Sequence, residues 1–315
     1  MKESGPGGLN PHNPETKRDA WFNEKWAHPK EIDVAGEKLG MYDISPEHQK
    51  SEVPVLIMDG WGSTPTVWKD NVETLVETGR RTICVNVKHG VESNIEQPED
   101  MEEIPEAELR RITAFMAALD ASQVEKADVI AHSEGGLDAL LAAYLYPDRF
   151  RNLVLVSPGG MIGADNFVKL SARFAYDTAK SHIQALRDGT LKKLLAIGNE
   201  VTPTVAKAPI RSVKQIDAVA RANVVHLLRE VKERGVNIIV ISGVDDKVFP
   251  TTRMAETISA EKEEGEDIQK ILDGFYSVKG AHAEFIVKAP QYTKVGEGAI
   301  SALEARDAKR LNSEK

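Results

Sequence analysis

A serine at position 133 stands between a short apolar run and a run of good helix formers. Val129 and Ile130 are β-branched and apolar, which indicates the end of a buried strand. Alanine and leucine dominate residues 139–145, which favours a helix. Between these runs, residues 131–135 read Ala-His-Ser-Glu-Gly. Small residues there suit a sharp strand-to-helix turn that exposes the serine oxygen as a nucleophile, although a serine that only caps its helix fits the same pattern.

Two further segments place an acid and a base directly after predicted strands. The apolar run 238–241 leads into Asp245 and Asp246, and a later strand is followed by a turn and His282. Open α/β sheets gather their ligands beyond the carboxyl ends of the strands, so we expect these side chains to meet Ser133. A serine hydroxyl becomes a nucleophile when a histidine takes its proton, and an aspartate holds the imidazole in the right tautomer.

The chain order of serine, aspartate and histidine, each after a strand, resembles the α/β-hydrolase fold superfamily in its serine hydrolase branch with a helical lid. The resemblance covers roughly residues 32–311. In this family the acid stands three residues after a strand-end glycine, and a proline follows four residues later. Gly243, Asp246 and Pro250 match that spacing. The resemblance therefore implies Asp246 as the acid, with Asp245 as the alternative.

A glycine-rich turn after an early strand resembles the oxyanion loop of the same family. It reads Asp-Gly-Trp-Gly-Ser and begins at Asp59, where the family often has a histidine. The resemblance implies that the backbone N–H groups of Trp61 and Glu134 form the oxyanion hole. Each such donor typically contributes ~10²–10³ in rate. Gly60 and His132 are the residues that we expect to surround the substrate.

The carboxylate of Glu134, beside the nucleophile, has two interpretations. It lies in the first turn of a helix, where the helix dipole favours negative charge. Alternatively, it contacts a cationic group of the substrate. The pair His89-Gly90 follows its strand where the family often has a charged, glycine-containing loop.

Alternating strands and helices with continuous apolar strands predict an α/β fold, in which a mostly parallel sheet is flanked by helices on both faces. We expect a flexible N-terminal arm over residues 1–20, because this stretch is polar and rich in glycine and proline. The α/β-hydrolase core is expected over residues 21–160 and 236–315, with Trp21, Phe22 and Trp26 attaching the arm.

Residues 161–235 carry helical patterns without a convincing strand, and are predicted to form a helical cap, or lid, inserted between two strands. We expect Pro203 and Pro209 to interrupt its helices. Pro-Gly-Gly at 158–160 and Gly235 are the expected hinges.

Composition excludes several classes of function. The 315 residues include 49 acidic and 40 basic ones, giving a net charge of −9, and no basic cluster stands out, which argues against binding of nucleic acid. No apolar run approaches the roughly 18 residues of a membrane span, and no secretory leader is evident, so a cytoplasmic protein without membrane partners is expected. The single cysteine, Cys84, excludes an intramolecular disulfide. No metal-ligand spacing and no dinucleotide-binding glycine motif occur, so no metal or other cofactor is expected.

These features together predict a serine hydrolase that works through an acyl-enzyme on a small-molecule substrate. The resemblance favours a carboxylesterase acting on a small or medium apolar ester. An amidase or aminopeptidase, a carbon–carbon bond hydrolase and a non-catalytic ligand-binding member of the same fold stay open as alternatives. The oligomeric state is open as well.

Overall fold

The computed structural model describes residues 14–88, 90–99 and 103–313. His89 and residues 1–13 of the predicted arm lie outside this part of the chain. The strands are β1 (Lys30–Val34), β2 (Glu37–Ile44), β3 (Val55–Met58), β4 (Thr82–Val85), β5 (Ala127–His132), β6 (Phe150–Val156), β7 (Asn237–Gly243) and β8 (Gly274–Val278). The helices are α1 (Pro14–Ala27), α2 (Lys69–Glu77), α3 (Glu106–Ala121), α4 (Glu134–Leu145), α5 (Phe167–Asp188), α6 (Leu191–Lys207), α7 (Pro209–Arg221), α8 (Leu227–Glu233), α9 (Thr251–Ala260), α10 (Glu284–Val287) and α11 (Ala289–Ser313).

In the described chain, one eight-stranded sheet has the strand order β1-β2-β4-β3-β5-β6-β7-β8. The first two strands form a hairpin and pair antiparallel, β2 also pairs antiparallel with β4, and every pair from β4 to β8 is parallel. Parallel strands that are buried on both faces need apolar residues at consecutive positions, which explains the continuous apolar runs of β3, β5 and β7. The predicted α/β fold with a mostly parallel sheet is confirmed.

Alternate residues of the central strands point into two separate hydrophobic layers. Leu56 and Met58 of β3 pack with α3, α4 and α8 on one face. Val55 and Ile57 pack with α2 and α11 on the other. Successive side chains of any strand point to opposite faces, so each central strand packs into both layers. Packing on both faces holds the sheet in place. The carboxyl ends of the strands are therefore firm supports for the loops that follow them.

The N-terminal helix α1 begins at Pro14, inside the stretch that the sequence predicts to be an arm. Phe22 and Trp26 are buried, and the Trp26 ring stacks on Tyr42 of β2 with a centroid separation of 4.0 Å. Trp21 packs against the same layer while half-buried. These aromatic residues thus attach α1 to the body, as the sequence predicts. The helix itself begins at Pro14, which is earlier than the predicted boundary at residue 21.

The helical insertion differs from its predicted form in two respects. Pro203 lies inside α6 and does not end it, whereas Pro209 stands in the first turn of α7, where its missing N–H costs nothing. Helix α8, with Leu228 and Val231 in the main core, packs beside α4 as part of the body. The helices that cover the sheet edge therefore end at Arg221, well before Gly235.

Helix α9 is among the helices that the sequence pattern does not predict. Helix α9 buries only Met254 and Ile258, which are one turn apart, and its other residues are largely polar. So narrow an apolar stripe gives little periodic signal.

Candidate active site

Three side chains from three separate loops meet at the carboxyl edge of the sheet. The Nε2 atom of His282 lies 3.0 Å from the Ser133 hydroxyl oxygen. On the other side of the ring, Nδ1 lies 2.9 Å from Oδ2 of Asp246. All three residues are at most 6% exposed. The structure thus brings together the predicted serine, histidine and aspartate in hydrogen-bonded order.

Ser133 occupies a strained backbone conformation between β5 and α4. Its φ of 58° and ψ of −124° are unusual for a residue with a side chain, and such conformations cost roughly 1–3 kcal/mol. The strain is held by hydrogen bonds, because its N–H donates to the Val156 carbonyl and its carbonyl accepts from Gly136 and Gly159. A Cβ at Gly135 would lie 2.2 Å from the Met58 carbonyl oxygen, so only glycine fits there.

Asp246 rather than Asp245 is the partner of the histidine. Its second oxygen, Oδ1, accepts hydrogen bonds from the Val248 and Phe249 amides at 2.8 and 2.9 Å. Burial alone would raise the pKa of Asp246, but His282, then the Phe249 amide and the Ser157 side chain, outweigh burial and hold the pKa below its usual value. The side chain of Asp245 is 46% exposed and lies 3.4 Å from the Lys180 ammonium.

The ionised Asp246 determines the protonation of the imidazole. A carboxylate can only accept, so the proton of His282 belongs on Nδ1 and Nε2 is free to accept the serine proton. Burial by itself lowers the pKa of His282, but Asp246, and after it Asp177 of α5, outweigh burial and raise the pKa above its usual value. Asp177 also accepts a hydrogen bond from the Lys247 amide at 3.2 Å. The sequence does not predict this cap residue, since an acidic residue within a helix carries no distinctive pattern.

His132 lies beneath the triad and is absent from the walls of the cavity that opens at Ser133. Its Nε2 is 2.9 Å from the backbone oxygen of His282, and its ring stacks on Phe285 at 5.7 Å. Burial, together with His282, lowers the pKa of His132 to about 3, so the ring is neutral and Nε2–H donates to that carbonyl. The structure thus places His132 where it supports the histidine loop.

The glycine-rich turn lies directly against the nucleophile. A Cβ at Gly60 would be 3.0 Å from the Cβ of Ser133, so a side chain there would crowd the nucleophile. Gly60 is not part of the cavity wall, whereas Trp61 and Glu134 lie on the wall together with Ser133. The two expected oxyanion donors therefore belong to residues that border the same space.

A cavity of about 530 Å³ opens above the serine. Helices α5 and α7 of the cap supply most of its apolar wall, through Leu170, Phe174, Ile216 and Val219. Phe249, three residues after Asp246, forms another side of the cavity. Such walls fit the apolar part of a small molecule, with polar groups only at the reacting end.

A second group of ionisable side chains is buried around Arg111 and includes Glu134, the residue after Ser133. The Arg111 guanidinium is 2.6 Å from Asp138 Oδ2 and 3.2 Å from Asp59 Oδ1, and it also donates to the Asp59 carbonyl. Glu134 Oε2 is 3.6 Å from the same guanidinium, so the cation beside Glu134 belongs to the protein itself. Glu108 is fully buried nearby. Sequence reasoning missed Arg111, Asp138 and Glu108, because helical residues without a motif give no sign that they converge.

The described residues contain no group of three or more potential metal ligands. The helices described in this structure are also too short or too polar to cross a membrane.

Comparisons with known proteins agree with this architecture. A family model described as alpha/beta hydrolase fold matches residues 53–196. The chain is 28% identical to a pimeloyl-[acyl-carrier protein] methyl ester esterase of Neisseria meningitidis over 76% of this chain and 73% of that protein. It is 27% identical to a 2-hydroxy-6-oxo-6-phenylhexa-2,4-dienoate hydrolase of Comamonas testosteroni over 41% of this chain and 48% of that protein.

A solved structure shows the same fold. The enol-lactonase of Burkholderia xenovorans LB400 superposes with a TM-score of 0.61 at 16% identity, covering 86% of this chain and all of that one (100%). The sheet order, the strained turn at Ser133 and these similarities together show that the chain has the α/β-hydrolase fold and is similar to hydrolases with that fold.

Proposed function

We propose that this protein is a serine hydrolase that cleaves a carboxylic ester through a covalent acyl-enzyme. The single observation that carries the proposal is the hydrogen-bonded chain from Ser133 through His282 to Asp246, with separations of 3.0 and 2.9 Å. The strained backbone at Ser133 is further support, because strain of this kind is kept where it serves a site.

In the first half of the reaction, the Ser133 oxygen attacks the ester carbonyl carbon while His282 Nε2 takes the serine proton. The resulting imidazolium lies 2.9 Å from the Asp246 carboxylate, which stabilises its charge. The carbonyl oxygen becomes an oxyanion, and the backbone N–H groups of Trp61 and Glu134 are our candidates for its donors. The histidine then gives its proton to the departing alcohol, which leaves an acyl group on Ser133.

In the second half, a water molecule takes the place of the alcohol. His282 accepts a proton from this water as it attacks the acyl carbon, and the same oxyanion donors stabilise the second tetrahedral intermediate. Transfer of the proton back to the serine oxygen releases the carboxylic acid. Each proton that leaves Ser133 or water thus passes through one nitrogen of His282.

The cavity supports a substrate with an apolar acyl or alcohol portion of small to medium size. About 530 Å³ is within the usual range for small-molecule sites. Helices α5–α7 serve as a lid in this proposal, because Leu170, Phe174 and Val219 reach from them into the space above the serine.

Hydrolysis of p-nitrophenyl acetate and butyrate by the wild-type protein and by Ser133→Ala tests the proposal. Loss of a triad nucleophile typically lowers kcat by ~10⁶, so we expect no enzymatic rate in the variant. A folded Ser133→Ala protein with activity within tenfold of wild type would contradict the assignment. Amide and vinylogous diketone substrates in the same assay separate the ester proposal from the amidase and carbon–carbon hydrolase alternatives.

A further inference from the structure

Five ionisable side chains are buried together behind the candidate oxyanion hole, and four of them are acids. Their exposed fractions are 1% for Asp59, 0% for Glu108, 7% for Arg111, 1% for Glu134 and 0% for Asp138. We call this group the Arg111 cluster. The triad uses none of these side chains, so the cluster needs an explanation of its own.

Arg111 connects the two segments that carry the candidate donors. Its bonds to the carbonyl and the carboxyl of Asp59 hold the residue two positions before Trp61. Its bond to Asp138 holds α4 one turn after Glu134. Arg111 is therefore a side chain that ties together the two segments whose N–H groups are the candidate donors.

The cluster cannot carry all of its possible charges. Four carboxylates around one guanidinium would leave three buried negative charges without compensation, which is far more costly than keeping protons on some of them. Asp138 and Asp59 hold the hydrogen bonds from Arg111. Glu134 Oε2 lies 3.6 Å from the Arg111 guanidinium, too far for a hydrogen bond, and its polar neighbour is the neutral Gln215 amide. Among the described residues, no hydrogen bond from Arg111 reaches Glu108 either. The protons therefore belong on these two.

The groups that face Glu134 come from four elements. Arg111 and Glu108 approach from α3, Asp138 from α4 and Asp59 from the oxyanion loop. The cap contributes a neutral group, the Gln215 amide of α7. Three of the four charged or titratable neighbours are acids, so ionisation of Glu134 meets mainly repulsion.

We propose that Arg111 is a positioning residue for the oxyanion hole, and that this hole works fully only while the side chain of Glu134 is protonated. The inference rests on the proposed serine hydrolase function. An ionised Glu134 would place a negative charge on the same residue whose N–H donates to the oxyanion. That charge opposes the negative charge of the transition state, in a site where little water screens it.

Burial, only partly offset by Arg111, raises the pKa of Glu134 to about 8. A carboxyl group with a raised pKa stays neutral below that value and ionises above it. The contribution of the oxyanion hole is therefore complete on the acidic side of this pKa and falls as pH rises through it. This loss on the alkaline side is separate from the rise near neutrality that His282 causes.

The pH dependence of kcat between pH 7 and 10 tests the role of Glu134 in the full-length protein. We expect wild-type kcat for p-nitrophenyl acetate to fall by about tenfold or more across this range. Glu134→Gln should remove the fall, because glutamine cannot ionise, and the exposed control Glu125→Gln should keep it. A flat wild-type profile, or an unchanged fall in Glu134→Gln, would overturn the inference.

Arg111→Met and Arg111→Lys test the positioning role. We expect Arg111→Met to lower kcat by about 10²-fold with little change in KM, as for the loss of one oxyanion donor. Because Arg111 holds the pKa of Glu134 down, its removal should also move the alkaline fall to higher pH, which a purely structural defect would not do. Arg111→Lys should recover part of kcat, since it keeps the charge but not the two-pronged geometry. An alkaline fall that stays in place in Arg111→Met would contradict the role.

Labelling of Ser133 tests the proposed function independently of the pH profiles that test the Arg111 cluster. If fluorophosphonate labels Ser133 and the ester is hydrolysed, the function stands even when the pH profiles overturn the role of the Arg111 cluster. If Ser133 is neither labelled nor needed for hydrolysis, the function itself fails.

Discussion

Two buried groups of charges lie near Ser133, and they differ in the balance of acids and bases. In one group, His282 faces Asp246 as its hydrogen-bonded acid. In the other group, Arg111 faces four carboxyl groups. The first pair can exchange a proton with the substrate and return to its starting charge. The second group has more acids than its cation can compensate, so it stores protons and fixes geometry.

The difference teaches that a buried carboxyl group has no fixed role in this fold. Amide donors and a nearby imidazole hold the pKa of Asp246 below its usual value. Burial, only partly offset by Arg111, raises the pKa of Glu134 to about 8. The same functional group is thus an ionised base partner in one group and a proton store in the other, according to its neighbours.

The histidine side of this comparison predicts the largest effect. We expect Asp246→Asn to lower kcat by ~10⁴, because asparagine favours the wrong imidazole tautomer. Asp245→Asn is the matched control. It removes only an exposed ion pair with Lys180, so we expect its kcat to stay within about threefold of wild type. The assay is p-nitrophenyl acetate hydrolysis at pH 7.5. A larger loss in Asp245→Asn than in Asp246→Asn would require a different acid.

These two groups also mark what the sequence can predict. Ser133, Asp246 and His282 each follow a strand end at a recognisable spacing, so the amino-acid sequence alone is enough to predict that they meet. The Arg111 cluster depends on the packing of α3 against α4 and the oxyanion loop, and no local pattern encodes that packing. The helices between β6 and β7 are predictable as a block, but which of them pack in the core is not, since α8 joins the main hydrophobic layer.

A smaller effect concerns the second acid near the histidine. The rate constant kcat/KM should rise with pH as His282 loses its proton, with a midpoint above the usual value of about 6.5 because the pKa of this residue is raised. Asp177→Asn removes one of the charges that raise it, so we expect the midpoint to move to lower pH by a few tenths of a unit. Asp217→Asn on α7 is the control. A midpoint that stays in place or moves to higher pH would show that Asp177 does not act on the histidine.

An effect on selectivity rather than on the chemical step concerns the cap. The Phe174 ring lies 6.2 Å from the Trp61 ring and 5.8 Å from the His282 ring, so it borders both sides of the reacting centre. We expect Phe174→Ala to change the ratio of kcat/KM for hexanoate and acetate esters by about tenfold, as for lost apolar contacts in a pocket. Tyr176→Ala, at a side chain that is 61% exposed, should leave the ratio unchanged. Equal ratios in both variants and wild type would mean that the cap does not select the acyl chain.

Covalent labelling of Ser133 tests the central claim most directly. A fluorophosphonate reacts with a serine whose proton a histidine can take, and the adduct is located by intact mass and peptide mass spectrometry. We predict one adduct per chain on Ser133, with labelling that slows by orders of magnitude in Asp246→Asn and keeps the wild-type rate in Asp245→Asn. No adduct on Ser133, or the same adduct mass and rate in Ser133→Ala, would contradict the account.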